Sequence, residues 1–365
     1  METRNRGQVR SGESYITEYL HRKGFASGAP IAGNFEITCR CNFNCKMCYV
    51  HQQHIDKPEL TARDWIQLGK EARDAGMLFL LLTGGEPFLR SDFPEIYLGL
   101  RRLGLIVSVN TNASLLTDEI LAAFKASPPA RVNVSLYGGS SDTYCKLCGN
   151  AAYDAVTRNI LRMKAAGIHV KISATVNPYN AADIDQIFGF AKSNDIAVRG
   201  TAYMYPPVRV HDAQECPRFT PKEAAACMLR FREHTLTQEQ LRQMVTLPSD
   251  PEDDCAGEGG PMRCRAGRTS FWITWDGRIL PCGMFPTVGH SVKEMGLIPA
   301  WELTKREVAL IRLPAACSTC SKKERCGVCA ASCLAENGDT SIRPEYICEM
   351  ADWLDQMIRD KYGQE

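Results

Sequence analysis

The chain has 365 residues, with 43 basic and 42 acidic side chains and a formal net charge of +1, so its charge does not indicate a nucleic-acid or anionic-membrane partner. Hydrophobic residues make up 44% of the chain, which allows a substantial core, yet no apolar run approaches the roughly 18 residues of a membrane span. The N-terminal segment lacks the apolar stretch of a signal peptide, and we therefore expect a cytoplasmic protein with no nucleic-acid or membrane partner.

Cysteine is the outlying residue type in this composition. The chain has 17 cysteines, many of them between Cys255 and Cys348. In a reducing compartment, clustered cysteines bind metal or perform chemistry more often than they form disulfides. The concentration near the C-terminus therefore predicts a metal-binding region separate from the rest of the chain.

The first two thirds of the chain alternate between apolar runs of strand length and helical segments. After an N-terminal extension (1–32) with a short amphipathic helix from Ser14, this pattern predicts an α/β domain over 33–245. Its strands pair through right-handed βαβ units in a parallel sheet, and six units are too few for a closed eight-fold barrel. The predicted strands are 35–39, 77–83, 105–110, 131–136, 168–176 and 196–202, and the predicted helices are 61–76, 92–103, 117–126, 152–166 and 182–192.

The composition changes after a helix that starts at Thr220 and is predicted to run towards Met244. A turn-rich stretch at 247–254 marks a boundary, and a loop-rich cysteine domain is predicted over 252–350, followed by a C-terminal helix at 351–365. Within the cysteine domain, residues 270–275 alternate as a strand does and Asp276-Gly277 is typical of a hairpin turn.

The most specific motif is Cys41-x3-Cys45-x2-Cys48, which directly follows the first predicted strand. A [4Fe–4S] cluster normally takes four thiolates, so three in one loop leave an iron for a ligand that is not protein. The loop Gly84-Gly85-Glu86 follows the second strand. Carboxyl ends of neighbouring parallel strands lie on one rim, and glycine lets the backbone approach a ligand closely.

These two motifs together resemble the radical SAM superfamily. The resemblance implies a partial (β/α)6 barrel in which Cys41, Cys45 and Cys48 hold a [4Fe–4S] cluster whose open iron binds S-adenosylmethionine. Reduction of the cluster, by a donor such as flavodoxin or ferredoxin, splits that molecule into methionine and a 5′-deoxyadenosyl radical. It also implies that Gly84, Gly85 and Glu86 belong to the cofactor site, where backbone carbonyls meet the ammonium group.

Polar residues at other strand ends are weaker candidates. The resemblance suggests that Asn112 and Ser135, after the third and fourth strands, hold the ribose and carboxylate of the cofactor. Asn177 and Tyr203-Met204 are candidates for the adenine pocket, and Lys146 for a basic partner of the carboxylate. A purely structural role in turns stays open for each of them.

Several other cysteines lie in or near the predicted barrel. Cys145 and Cys148 are predicted in the loop after the fourth strand, where they are either a redox pair or, as we favour, two unrelated thiols. Cys39 is interpreted as a buried strand-end residue. Cys216 and Cys227 have no metal-like partners nearby in the sequence.

The C-terminal cysteines resemble the SPASM domain of radical SAM enzymes, which carries one or two auxiliary [4Fe–4S] clusters. A hairpin would bring Cys264 and Cys282 towards each other, and a C-x2-C-x5-C-x2-C run with a distal cysteine follows. The resemblance assigns one cluster to Cys317, Cys320, Cys326 and Cys348, and the other to Cys264, Cys282 and Cys329.

Two cysteines leave the ligand set open. Cys255 lies where some members place an eighth ligand, and without it the first auxiliary cluster would keep an open iron. The run closes with x2 where many members have x3. Cys333 falls where the similar haem-biosynthesis members carry no ligand, so it is either a spare or an alternative to Cys329. A pair of zinc ribbons uses similar spacing, although the neighbouring triad favours iron–sulfur.

The expected function is therefore reductive cleavage of S-adenosylmethionine and abstraction of a substrate hydrogen. A peptide or protein substrate is expected first, because this is the commonest use in the family. The alternative is a small molecule, including a tetrapyrrole, since the N-terminal extension is short for a leader-binding domain. A non-catalytic Fe–S carrier is a third hypothesis, but a carrier needs no Gly-Gly-Glu cofactor loop.

Overall fold

The computed structural model describes residues 15–50, 57–209, 216–246, 262, 264–322 and 326–363. The helices in these ranges are α1 (Tyr15–Ser27), α2 (Ala62–Asp74), α3 (Phe93–Arg102), α4 (Asp118–Ala126), α5 (Ser141–Cys148), α6 (Tyr153–Ala165), α7 (Ile184–Ser193), α8 (Pro221–Thr235), α9 (Gln238–Thr246), α10 (Val292–Met295), α11 (Leu297–Leu310), α12 (Ala315–Ser318), α13 (Ala330–Asn337) and α14 (Glu345–Tyr362). The strands are β1 (Ala32–Glu36), β2 (Phe79–Thr83), β3 (Ile106–Thr111), β4 (Arg131–Ser135), β5 (Val170–Thr175), β6 (Ala197–Thr201), β7 (Ser270–Ile273), β8 (Arg278–Leu280) and β9 (His290–Ser291). Among the described residues, no helix is both long and apolar enough to cross a membrane.

The strands form one open sheet in the order β6-β5-β4-β3-β2-β1-β7-β8-β9. Strands β1 to β6 pair in parallel with their neighbours in sequence, which confirms the predicted α/β architecture of six βα units. Their carboxyl ends therefore lie along one rim, where the cysteine loop follows β1 and the Gly-Gly-Glu loop follows β2.

Alternate strand residues face opposite sides of this sheet. On one side, Val107, Val132 and Ile172 are fully buried in a core shared with apolar residues of the helices that cover the sheet, among them Trp65 and Ile160. The opposite side, which we call the inner face, carries mainly partly exposed polar residues. Its members on β1 to β5 include Asn34, Glu36, Ser108, Asn110, Asn133, Ser135, Lys171 and Ser173.

The C-terminal hairpin continues the same sheet. Strands β7 and β8 are antiparallel, as predicted, and Gly277 in their turn has φ 86°, a conformation that favours glycine. The sequence did not indicate that β7 also pairs in parallel with β1, placing Phe35 opposite Ile273. The cysteine-rich region thus begins beside the first strand of the barrel.

The single helix predicted from Thr220 towards Met244 is wrong, because the helix breaks at Leu236, whose backbone is extended. The reason is a capping box at the start of α9, in addition to the one that Thr220 and Glu223 form at the start of α8. The Thr237 hydroxyl accepts the Gln240 N–H at 3.2 Å, and the Gln240 side chain accepts the Thr237 N–H at 2.9 Å, which starts a new helix.

Three further boundaries differ from the prediction, the first being that β1 covers Ala32–Glu36 where a strand at 35–39 was predicted. Cys145 and Cys148 lie on helix α5 and not in a loop; Ser140 caps this helix and Gly149 ends it with φ 66°. Helix α14 begins at Glu345, earlier than the predicted 351, so Cys348 lies in its first turn.

Candidate active site and cluster centres

The cysteine loop after β1 rests on the end of helix α5. The Asn44 N–H donates to the Cys148 carbonyl and the Lys46 N–H to the Leu147 carbonyl, both at 2.9 Å. Phe43 is buried beside Tyr144, with ring centroids 6.3 Å apart. The segment predicted as a loop is thus a helical support for the cysteine triad.

The three thiols of this loop lie close enough to affect one another. Burial raises the pKa of Cys41 to about 12 and of Cys48 to about 11, and in both cases nearby thiols of the triad add to the rise. A hydrogen bond to the Cys148 thiol, followed by burial, raises the pKa of Cys45. Thiolates at these positions therefore need a cationic partner, and three converging thiols fit the iron–sulfur cluster that the spacing predicts.

The two glycines of the second loop are needed for contact with the cysteine loop. A Cβ on Gly84 would lie 2.5 Å from the Thr38 carbonyl oxygen, and one on Gly85 would lie 2.3 Å from that of Arg40. The Gly85 N–H donates to Thr38 and the Glu86 N–H to Arg40, each at 2.8 Å. No larger residue fits this interface without moving one of the loops.

Glu86 is fully buried and its carboxylate is occupied by protein donors. It accepts hydrogen bonds from the Thr111 hydroxyl (2.6 Å), the Asn112 N–H (2.6 Å) and the Phe88 N–H (3.0 Å). Burial raises its pKa to about 7 despite these donors. These contacts give Glu86 a positioning role, fastening the end of β3 to the Gly-Gly-Glu loop.

Asn112 completes this junction of loops. Its side-chain amide donates to the Asn42 side chain at 3.0 Å and lies 3.9 Å from the Cys41 sulfur. The oxygen of the same side chain accepts hydrogen bonds from the hydroxyl and the backbone N–H of Ser114. The third strand end therefore reaches the first cysteine directly.

The remaining predicted cofactor residues lie near the rim in different settings. Ser135 forms a hydrogen bond with the Tyr137 side chain. Burial raises the pKa of Tyr137, and the charge of the nearby Cys45 raises it further. The Asn177 amide lies 3.2 Å from the Met47 sulfur in the cysteine loop. Lys146, by contrast, is exposed and pairs with Asp142 of its own helix at 3.8 Å.

Tyr203 and Met204 follow β6 at the same rim. The Tyr203 hydroxyl donates to Glu336 at 2.8 Å, and Met204 is buried. Tyr203 therefore links the rim to helix α13, a contact that the sequence did not indicate.

A buried ion pair that sequence reasoning missed joins the cysteine loop to the C-terminal hairpin. Arg209 forms a two-pronged pair with Glu36 on the inner face of β1, at 3.2 and 2.6 Å, and Trp272 donates to the same carboxylate at 2.9 Å. The Arg209 backbone N–H donates to Tyr49, next to Cys48, and its Nε donates to Gly283, next to Cys282, each at 3.1 Å. An acidic residue between Phe35 and Ile37 was the only signal of this pair in the sequence.

The C-terminal cysteines fall into two neighbouring groups. Burial raises the pKa of Cys282 to about 12, and Cys264 and Cys329 add to the rise. Burial likewise raises that of Cys326 to about 11, with contributions from Cys348, Cys317 and Cys320. A cavity of about 450 Å³ is lined by six of these residues: Cys264, Cys317, Cys320, Cys326, Cys329 and Cys348.

Cys329 is held by two elements. Its side chain accepts the Ser332 N–H at the start of α13, where the positive end of the helix dipole stabilises negative charge, and the Tyr205 hydroxyl lies 3.5 Å from its sulfur. Cys333 is fully buried on α13, and burial raises its pKa to about 12. The charges of Cys317 and Cys329, one from each group, raise the pKa of Cys333 further. Cys333 therefore borders both groups.

Other cysteines are separate from these groups or lie outside the described residues. Cys255 lies outside them. Cys39 is buried three residues after the end of β1, within 3.6 Å of a Glu59 oxygen, while Cys216 and Cys227 are partly exposed. Within the described ranges, no group of three or more His, Cys, Asp or Glu side chains has the geometry to hold a single metal ion, and no cysteine there forms a disulfide.

Comparison with known proteins matches part of the chain to a known family. The profile of the Radical SAM superfamily matches residues 35–191, which span the cysteine loop and the Gly-Gly-Glu loop. An AdoMet-dependent heme synthase of Methanosarcina barkeri is 24% identical over 336 residues, which cover 86% of this chain and 95% of that protein. A probable GTP 3′,8-cyclase of Saccharolobus solfataricus is 38% identical over 146 residues, 40% of this chain and 47% of that protein, so the chain spans about half of its length.

The fold extends this likeness along most of the chain. The crystal structure of Streptococcus suis SuiB bound to precursor peptide SuiA superposes with a TM-score of 0.68 at 18% identity, covering 95% of this chain and 84% of that one. Enzymes of the family use a [4Fe–4S] cluster and S-adenosylmethionine. The chain therefore carries a radical SAM domain at residues 35–191, as radical SAM enzymes do, and its fold follows that of SuiB over most of its length.

Proposed function

We propose that this enzyme abstracts a hydrogen atom from a peptide or protein substrate that binds over the inner face of the barrel. The observation that carries the proposal is the junction of the cysteine loop, the Gly-Gly-Glu loop and Asn112, joined by hydrogen bonds of 2.6 to 3.0 Å. The junction would hold three strand ends around a three-thiolate cluster that leaves one iron for S-adenosylmethionine.

In this proposal Cys41, Cys45 and Cys48 hold the cluster. When bound, the cluster and S-adenosylmethionine supply the electron and the 5′-deoxyadenosyl radical. Glu86 holds Asn112 in place through its buried carboxylate, and Asn112 in turn orients Asn42 beside Cys41. Ser135 and Asn177, which lie farther along the rim, face the cofactor from the side of β4 and β5.

The C-terminal groups would hold two auxiliary clusters. Cys317, Cys320, Cys326 and Cys348 bind one, and Cys264, Cys282 and Cys329 bind the other, with Cys333 as a spare thiol. Their support is the shared cavity and the mutual effects on pKa described above. Since Arg209 connects the loops of Cys48 and Cys282, it would keep the loops of the first cluster and of the Cys264, Cys282 and Cys329 cluster in a fixed relation.

The fold likeness to SuiB, which was crystallised with a precursor peptide, supports a peptide substrate. The second candidate is a tetrapyrrole, since the alignment with the heme synthase runs over most of both chains. Flavodoxin or ferredoxin would donate the electron, and a cytoplasmic location belongs to the same proposal.

The test begins with anaerobic reconstitution of the full chain. Dithionite and S-adenosylmethionine should give 5′-deoxyadenosine, and iron analysis should give about 12 irons per chain for three [4Fe–4S] centres against about 8 for two. No 5′-deoxyadenosine from a protein with intact clusters would overturn the proposal. Deuterium transfer into 5′-deoxyadenosine from deuterated peptide libraries or from a deuterated iron coproporphyrin would then separate the two substrates.

A further inference from the structure

Three cations occupy adjacent strands on the inner face: Arg131 on β4, Lys171 on β5 and Arg199 on β6. Their neighbours Val132 and Ile172 point into the helix-covered core. A Cβ on Gly200 would lie 2.2 Å from the ring of Phe231 on α8, so Arg199 faces the other way. In the strand register, Lys171 lies opposite Asn133, two residues after Arg131, and Arg199 lies opposite Ser173, two residues after Lys171. The three cations are therefore diagonal neighbours on adjacent strands.

These three cations repel one another. Burial lowers the pKa of Lys171, and the charges of Arg131 and Arg199 lower it further. Like charges on neighbouring strands destabilise a sheet. Yet within the described part of the chain none of the three forms an ion pair, while Arg209 on the same face is fully paired with Glu36. An anion from outside these residues would relieve the repulsion.

Apolar side chains also lie on the inner face of the neighbouring strands β2 and β3, among its polar residues. Leu81 on β2 is partly exposed, and Ile106 on β3 is 42% exposed, which is high for a large aliphatic side chain in a parallel strand. Register places Leu81 opposite Ser108, which in turn lies opposite Arg131. Ile106 is therefore a diagonal neighbour of Arg131, and Leu81 lies one strand farther away, beyond Ser108.

The three cations lie at different depths below the rim, with Arg199 level with Ser135 across Ser173. Arg131 precedes Ser135 at the rim by four residues, which is about 13 Å at about 3.3 Å per residue. A carboxylate held at Arg131 would leave the rest of the molecule reaching past Lys171 and Arg199 towards the cofactor.

We infer that the inner face binds a substrate that carries carboxylates beside an apolar group, with the carboxylates at Arg131, Lys171 and Arg199 and the apolar part along Leu81 and Ile106. Guanidinium groups match carboxylates in two-pronged pairs. This inference rests on the proposed function, because it places the substrate in the barrel, and it narrows the substrate to an anionic, amphiphilic one.

The test measures binding to the reconstituted full chain with S-adenosylmethionine. The probes are a fluorescein-labelled peptide of alternating glutamate and leucine, its glutamine counterpart, and coproporphyrin III as a tetrapyrrole carboxylate. The variant Arg131→Gln/Lys171→Gln/Arg199→Gln removes the three cations. The matched control Lys70→Gln/Lys125→Gln/Lys192→Gln removes the same charge from exposed positions on α2, α4 and α7.

We expect the wild type to bind at least one carboxylate probe, and the inner-face variant to bind it about tenfold more weakly or worse, since each lost charged hydrogen bond is worth about tenfold in affinity. The control should bind as the wild type does, and the glutamine peptide should bind weakly to all three proteins. Which of the two carboxylate probes binds identifies a peptide or a tetrapyrrole source.

Equal weakening in both triple variants, or no binding of either carboxylate probe to the wild type, would overturn the inference. Formation of 5′-deoxyadenosine by the inner-face variant shows that it folds and retains its cofactor site. If the wild type forms none, the proposed function fails while the binding result still decides the inference.

Discussion

The two cysteine regions of this protein are built in different ways. The triad lies within eight residues of one loop, and its support comes from three strand ends and helix α5. The C-terminal cysteines come from positions 264 to 348 and meet around a cavity. A site can be compact in sequence or compact only in space. A site that is compact only in space depends more on the packing of the elements around it.

The largest effect is expected for Cys45→Ala. Removing one of three thiolates should abolish 5′-deoxyadenosine formation, because the remaining two cannot hold the cluster that binds the cofactor. The measurement is product by liquid chromatography after dithionite reduction. Cys145→Ala, which removes an exposed thiol on α5, is the control and should keep activity; loss in both would point to damage at α5.

The second largest effect is expected for a change in the C-terminal cysteine region. Cys320→Ala should lower the iron content by about four atoms per chain, while 5′-deoxyadenosine formation persists, because the triad is assembled separately. Cys227→Ala on α8 should change neither quantity. Full retention of iron in Cys320→Ala would contradict its assignment as a ligand and would weaken the comparison between the two regions.

The link between the regions is tested by Arg209→Met. Leaving the Glu36 carboxylate buried without its partner should lower the free energy of unfolding by about 3–5 kcal/mol, measured by denaturant titration of the apoprotein. Arg230→Met breaks an exposed pair with Asp185 and should cost less than about 1 kcal/mol. The double variant Glu36→Gln/Arg209→Met should recover part of the loss; no recovery would mean that Arg209 acts through packing alone.

A smaller effect is expected for Gly85→Ala, where the added Cβ meets the Arg40 carbonyl oxygen. Separating the two loops should cost about 1–3 kcal/mol of stability and slow S-adenosylmethionine cleavage. The control is Gly189→Ala on α7, where a Cβ has nothing within 4 Å. If Gly85→Ala is as stable and active as the control, the close contact between the loops is not required.

Much of the site could be predicted because its signals are local. The spacing of Cys41, Cys45 and Cys48 and the glycines after β2 are read directly from the sequence, and parallel strands necessarily end on one rim. The glycines also have a role that the sequence did not predict, because they let the Gly-Gly-Glu loop pack against the backbone of Arg40. Helix α5 was missed because a short helix between rim loops has no long apolar period.

The sequence by itself determined the six βα units, the triad and the order of the C-terminal cysteines, because apolar periodicity and ligand spacing act over a few residues. Only the tertiary structure decided that β7 pairs with β1, that Arg209 joins Glu36 to both cysteine regions, and that three cations share the inner face. These features depend on register between strands far apart in the chain. The physical reason is that burial and charge are properties of neighbours in space, which the order of residues alone does not specify.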